Sequence, residues 1–368
     1  MENKYIKKYN IEFLISCVLP DVNGIWGVSG MYPFLFFYHY KKGIIFSRVI
    51  PNCNTVQQLF MFQGIYKNDC YVFLIPNNES DIVVYNIKTD SFTRIALKDP
   101  RPNMFRGCVC IKDDLICIPF RYDYYVSIDV QTLKIKYICQ WKCNDYDYTN
   151  GYTVKGNNIY TVMPKSNKVF CYDIEKGKAI IKEVGDKDSS YTSICGSNEN
   201  VILYDNHRKS INVLDSSLEK ICKSMIIDKE AVALHSGYSG DIIVDDVLTD
   251  EWNVFSKELM VIKKDVYEGN NINESREGMT LYKFGCWFNN YNEKVCCVDK
   301  YNHLYEFNRD MSYTCREISM SAEMWREIID TNYKTNCPQK LYKENQFWKL
   351  TEFLNLIELR EDLNHSRS

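Results

Sequence analysis

Tyr71-Val-Phe-Leu-Ile-Pro-Asn-Asn-Glu-Ser-Asp-Ile-Val-Val-Tyr-Asn-Ile-Lys-Thr-Asp-Ser-Phe-Thr-Arg-Ile95 decides how this chain is read. An apolar run ends at a proline and a polar turn. A second apolar run ends on an aromatic, and after a turn of Asn, Lys, Thr and Asp a third run begins in which apolar and polar residues alternate. Short runs of β-branched and aromatic residues between turn formers are strands. Runs this continuously apolar are buried on both faces.

The phrase returns. Leu115-Ile-Cys-Ile-Pro-Phe-Arg-Tyr-Asp-Tyr-Tyr-Val-Ser-Ile-Asp-Val-Gln-Thr-Leu-Lys134 is one copy, and Ile159-Tyr-Thr-Val-Met-Pro-Lys-Ser-Asn-Lys-Val-Phe-Cys-Tyr-Asp-Ile-Glu-Lys-Gly-Lys178 is another. Pro76, Pro119 and Pro164 close the same strand in each, 43 and 45 residues apart. Weaker copies begin at Gly24, Val201, Ile242 and Val295. Aligning the residue that ends each third-strand core gives Tyr38, Tyr85, Ile128, Tyr172, Leu214, Phe255 and Phe307, in steps of 47, 43, 44, 42, 41 and 52. The long last step reads as a loop inserted at 267–278. Each copy is preceded by one more short strand and a tight turn, such as Cys108-Val-Cys-Ile-Lys-Asp-Asp114, where Asp, Asn and Gly supply hairpin geometry. That makes four strands per repeat. A single four-stranded sheet cannot bury both faces, whereas a ring of them can.

The fold expected is therefore all-β: a β-propeller of seven four-stranded blades over residues 1–320, followed by an α-helical extension over 321–368. Six blades plus an irregular unit is the alternative count, and two stacked sandwich sheets the alternative fold. Pairing of residues 5–11 into a terminal blade is the expected ring closure. The phrases Tyr85-Asn-Ile-Lys-Thr89, Ile128-Asp-Val-Gln-Thr132 and Tyr172-Asp-Ile-Glu-Lys176 resemble the third strand of kelch and YVTN-type propeller repeats. The double glycine of kelch and the Trp-Asp pair of WD40 repeats are missing. The resemblance implies a fold and carries no activity with it.

Composition narrows the function. The 28 Tyr and 18 Phe favour strands over helices. Net charge is -3, from 45 basic and 48 acidic residues without a long block of one sign. A nucleic-acid partner, which rewards a basic excess, is not expected. The longest apolar run, 33–40, is far short of the ~20 residues that span a bilayer, and no signal-peptide core follows the basic start. These features point to the cytoplasm. The 16 cysteines are scattered through apolar segments without Cys-x-x-Cys or zinc-finger spacing, so they read as buried thiols. No metal or other cofactor is expected.

Beyond Ser319 the period changes from 2 to 3.6. A short helix is expected over 322–329 with Ser321 as its cap. After Cys337-Pro338, a longer helix is expected over 340–363, with Phe347, Leu350, Leu354 and Ile357 on one line, suited to docking in cis, to a partner or to self-association.

In a four-stranded blade the loops between second and third strands share one face with the loops between blades, because antiparallel strands alternate direction. That face is the expected ligand surface. Its candidates are Arg101, Arg106, Arg121, Tyr122, Lys165, His207, Arg208 and His235, with Asn77, Asn78, Asp245, Asp246, Trp141, Tyr146, Tyr148 and Arg276 around them. Arginine and aromatics suit stacking and bidentate hydrogen bonds to a protein, peptide or glycan. No phosphate loop, nucleophile elbow or His-Glu-x-x-His occurs. A non-catalytic binding or scaffolding propeller is the reading, with a propeller lyase or hydrolase using His207 and His235 on a sugar or modified peptide as the alternative.

Overall fold

The computed structural model describes residues 15–336, apart from 31, 54–60, 141–150, 164, 198, 231, 247–250, 267–288, 292–293 and 299–301. Seven four-stranded antiparallel sheets stand as blades around an axis. Each is one continuous stretch of chain in simple up-and-down order: blade 1 covers 15–49, blade 2 62–96, blade 3 105–140, blade 4 153–183, blade 5 191–226, blade 6 232–266 and blade 7 289–317. The count of seven resolves the choice between six and seven. The expected inserted loop at 267–278, the helix at 340–363 and the closing strand at 5–11 lie outside the described residues.

All seven marker residues, Tyr38 through Phe307, stand fifth in the third strand of their blade. The register repeats as well: Val72 faces Tyr85, Leu115 faces Ile128, Ile159 faces Tyr172 and Val201 faces Leu214. The following Asn or Asp shapes the next turn. Oδ1 of Asn86 accepts the N–H groups of Lys88 and Thr89, Asp129 those of Gln131 and Thr132, and Asp173 that of Lys176. Such a side chain replaces a missing backbone partner and fixes the bend. These backbone donors also lower the carboxyl pKa of Asp129 and Asp173.

Alternation along each middle strand explains the continuous apolar runs. In blade 3, Leu115 and Cys117 pack toward blade 2, while Ile116 and Ile118 pack toward blade 4. Among the described residues the buried side chains form seven clusters, one at every blade interface. An open row of seven blades has six interfaces, so the seventh cluster marks a closed ring. It joins Ile15, Ile25, Phe34 and Phe36 of blade 1 to Cys296, Val298 and Leu304 of blade 7.

That seam holds the helix. Ala322–Asn336 is longer than the 322–329 expected, and Ser321 caps it, with Oγ accepting the Met324 N–H at 3.2 Å. Trp325, Ile328 and Ile329 form its apolar stripe and enter the cluster shared by blades 1 and 7. Trp325 meets Tyr32 edge-on at 5.2 Å and Phe34 at 6.0 Å. At the far end the Asn336 amide donates to the Ile50 carbonyl at 2.9 Å, and its oxygen accepts the Cys53 N–H at 3.1 Å. A helix thus fastens the two end blades, each of which is complete in itself.

The outer strands are half exposed, and in blades 4 to 6 they show Ile181, Ile226 and Val261 to solvent. Lys178, Lys182, Lys223 and Lys263 interrupt these edges, which hinders pairing with another strand.

Candidate functional site

The loop face is assembled as the strand order requires. The Met104 N–H donates to the Asn77 carbonyl at 2.9 Å, the Asn103 N–H to Asn78 Oδ1 at 3.0 Å, and the Phe120 N–H to the Met104 carbonyl at 2.7 Å. Loops of one blade are therefore stitched to those entering the next. Arg94 reinforces the stitching, donating to the Pro51 carbonyl at 2.7 Å and pairing with Asp81 at 3.2 Å.

Seven of the eight candidates fall into three groups on this face. Arg106 and Arg121 both lie over the Phe120 ring, at 5.1 and 5.6 Å from its centre. Arg106 also donates to the Gly151 carbonyl at 3.2 Å, reaching from blade 3 to the segment that enters blade 4. In blade 5, Asp205 is fully buried, and its Oδ1 accepts the N–H groups of Ser190, His207 and Arg208 at 3.0–3.2 Å. This carboxylate folds the turn that exposes His207 and Arg208, and Arg208 pairs with Asp186 at 2.5 Å.

Arg101, Tyr122 and Lys165 support the loops. Arg101 pairs with Asp123 at 2.5 Å. Tyr122 is 1 % exposed and its hydroxyl donates to the Lys98 carbonyl, so it props the face from beneath. Burial pushes its phenol pKa well up. Lys165 takes a left-handed turn conformation (φ 51°) after the second strand of blade 4. Asp245 and Asp246 are buried at the end of the second strand of blade 6, and Asp246 accepts Lys229 Nζ at 2.8 Å. Trp141, Tyr146, Tyr148 and Arg276 lie outside the described residues.

His235 stands apart from the loop face. It is the fourth residue of the inner strand Val232–Ser236 and lines the axial channel, whereas His207 faces solvent on a turn. The two are not brought together as an acid–base pair. The inner strand of blade 6 runs down the wall before it reaches His235, so nearness in sequence to the inter-blade loop did not place the side chain on that loop.

The channel has a volume of about 680 Å³ and is walled, among the described residues, by the inner strands of blades 1 to 6. Arg106 enters it near the loop end. Lys155 and His235, further along their strands, line it toward the opposite end. Desolvation pushes the His235 imidazole down to about 3 and also lowers the Lys155 ammonium. At neutral pH His235 is therefore an uncharged donor or acceptor.

This depressed imidazole has a consequence for stability. A histidine whose folded pKa lies below its unfolded ~6.5 contributes stability that is present above ~6.5 and lost as pH falls toward the folded value. Each pH unit in that window costs up to about 1.4 kcal/mol. Between pH 7 and pH 5 the wild type is expected to lose about 2 kcal/mol more than His235→Gln. Denaturant titrations at the two pH values read this difference, and parallel losses in both proteins contradict it.

One feature of the wall has no counterpart among the residues singled out from the sequence. Cys17, Gly64, Gly107, Gly151, Ser193 and Ala233 stand 21 or 22 residues before the third-strand markers of blades 1 to 6. All are small. Five face the second strand at matching points, opposite Val28, Ile75, Ile118, Tyr204 and Asp245. Neighbouring inner strands converge here: a Cβ on Gly64 would lie 3.2 Å from the Gly107 Cα. The signal was in the spacing, but four residue types share it.

A ring of seven four-stranded blades around a polar channel defines a β-propeller. No protein-family model matches this sequence, and no curated protein matches it. Solved structures do share its fold. Virginiamycin B lyase from Staphylococcus aureus superposes with a TM-score of 0.61 at 12% identity, over 81% of this chain and 95% of the lyase. Kluyveromyces lactis Hsv2 does so at 0.54 with 9% identity, over 83% and 99%. The computationally designed Ika8 protein follows at 0.56 with 10% identity, over 84% and 89%. At these identities the likeness is one of fold.

Proposed function

We propose that this chain is a binding or scaffolding propeller that presents the loop face of blades 3 to 5 to a protein, peptide or glycan partner in the cytoplasm. The observation that carries the reading is the pair of guanidinium groups on Phe120, with the exposed His207-Arg208 turn held by Asp205 two blades on. Planar cations beside an aromatic surface suit carboxylates, aromatic side chains and sugar faces. The stitched loops give them a rigid base, which lowers the cost of binding. All 13 described cysteines are thiols, which supports a reducing compartment. The Asx-shaped turns after the third strands of blades 2 to 5 support kinship with kelch or YVTN-type repeats.

The triple variant Arg121→Ala, His207→Ala, Arg208→Ala is expected to bind the partner recovered from native cytoplasm at least tenfold more weakly, with the unfolding midpoint little changed. Unchanged affinity would sink this reading. Tyr122 is left intact because its removal would empty the loop base.

A second reading rests on His235, a neutral imidazole in the channel wall. A histidine-to-alanine variant of the Staphylococcus aureus lyase is described as catalytically inactive and is complexed with quinupristin, which supports a lyase acting on a modified peptide here. Consumption of quinupristin by the wild type, lost in His235→Ala, is the expected result under this reading. Equal inertness of both proteins removes it for that substrate.

A further inference from the structure

The channel differs in charge from the molecule as a whole. The molecule carries a net charge of -3, yet the described residues lining the channel include Arg106, Lys155 and His235 and no Asp or Glu. Charge of one sign within low-dielectric walls concentrates the field along the axis. The exposed Glu199 acts on Lys155 from the turn that follows the inner strand of blade 5.

The wall is shaped by the close approach of neighbouring blades. Each inner strand has a hydrogen-bonded strand neighbour on one side only, and its inward edge is partly satisfied by a neighbouring blade: Ser236 Oγ accepts the Gly196 N–H at 3.3 Å and Ser193 Oγ accepts the Leu234 N–H at 2.9 Å. Glycines let the blades meet: a Cβ on Gly107, Gly151 or Gly196 would lie 2.2–2.8 Å from an atom of the neighbouring blade. Gly196 also makes room for the lysine: a Cβ there would lie 2.6 Å from Lys155 Cε and 2.9 Å from its Nζ. Lys155 thus lies across Gly196 of the inner strand of blade 5 at the channel surface. The volume of about 680 Å³ falls within the roughly 300–1,000 Å³ of small-molecule sites.

From this geometry we infer that the axial channel is a binding site for a small anion bearing phosphate or carboxylate groups. Lys155 is its principal cation, Arg106 a second cation toward the loop end, and His235 a neutral hydrogen-bonding partner. The site shares Arg106 with the loop-face reading, but Lys155, on which its test turns, is no part of that surface.

The test uses the full chain with pyrophosphate, citrate and neutral glucose as probes, titrated calorimetrically at low salt. Saturable binding of pyrophosphate or citrate is expected, with none of glucose, and the stronger anion tells phosphate from carboxylate preference. Lys155→Met is expected to weaken binding at least tenfold. Labelling of the wild type by an amine-acylating reagent gives a readout that needs no variant: the bound anion protects Lys155 while exposed lysines such as Lys88 and Lys176 react as before. Absence of binding, equal affinity in Lys155→Met, or unchanged acylation of Lys155 at a saturating probe concentration overturns the inference. An intact channel response with a failed loop-face test, or the reverse, separates the two sites.

Discussion

Gly151→Ala is expected to destabilise the protein by about 2–5 kcal/mol, a large part of the ~5–15 kcal/mol that holds a typical domain folded. Two costs combine. The backbone there has φ of +80°, a left-handed conformation in which a Cβ costs roughly 1–2 kcal/mol. The added Cβ would also lie 2.3 Å from the Ile194 carbonyl oxygen of the next blade. That neighbour is backbone within a strand, so relief requires blades 4 and 5 to part, an overpacking cost of about 1–3 kcal/mol. Gly156→Ala is the matched control. Its φ is +55° and a Cβ there would meet nothing within 4 Å, so only the conformational cost of about 1 kcal/mol applies. Denaturant midpoints of the two variants measure the difference. Equal losses would mean that the inner strands are not in close contact at this point.

Trp325→Ala is expected to cost about 3–5 kcal/mol, the range for emptying a buried aromatic site. The site of the loss matters as much as its size. Trp325 fills the seam between blades 1 and 7, which no shared strand closes among the described residues. Hydrogen exchange should therefore rise first in residues 24–39 and 295–307, while blades 3 to 5 stay protected. Uniform acceleration around the ring, or a loss under about 1 kcal/mol, would show that the helix is not what fastens the seam.

These expectations show which physics is legible along a chain. The third strands could be aligned by eye because Tyr38, Tyr85, Ile128, Tyr172, Leu214, Phe255 and Phe307 are each packed between two blades, and burial on both faces constrains residue type strongly. The Asx turns were visible too, because a short side chain with an acceptor must stand where Asn86, Asp129 and Asp173 receive the N–H groups of Lys88, Gln131 and Lys176. The helix cap at Ser321 followed from a change of period.

The site was harder to read. Tyr122 looks like any loop aromatic, and only the folded chain brings its hydroxyl to Lys98 beneath the surface. Lys155 and His235 occupy inner-strand positions where a polar side chain in an alternating pattern reads as facing bulk solvent. Here the solvent is the inside of a ring, and whether a strand edge faces inward or outward is set by blades more than 100 residues away in sequence. The small-residue positions from Cys17 to Ala233 were hidden differently, since close approach selects for size and tolerates several residue types.

Everything rests on blade 7 returning to blade 1. Spin labels introduced as unnatural amino acids, two per molecule, measure this directly at equivalent exposed turns: Lys41 in blade 1, Lys88 in blade 2, Glu175 in blade 4 and Asp310 in blade 7. A closed seven-bladed ring predicts that the 41–310 distance matches the 41–88 distance and that both fall well below 41–175. A 41–310 distance longer than 41–175 would describe an open row of sheets, and the channel and the helix-fastened seam would go with it.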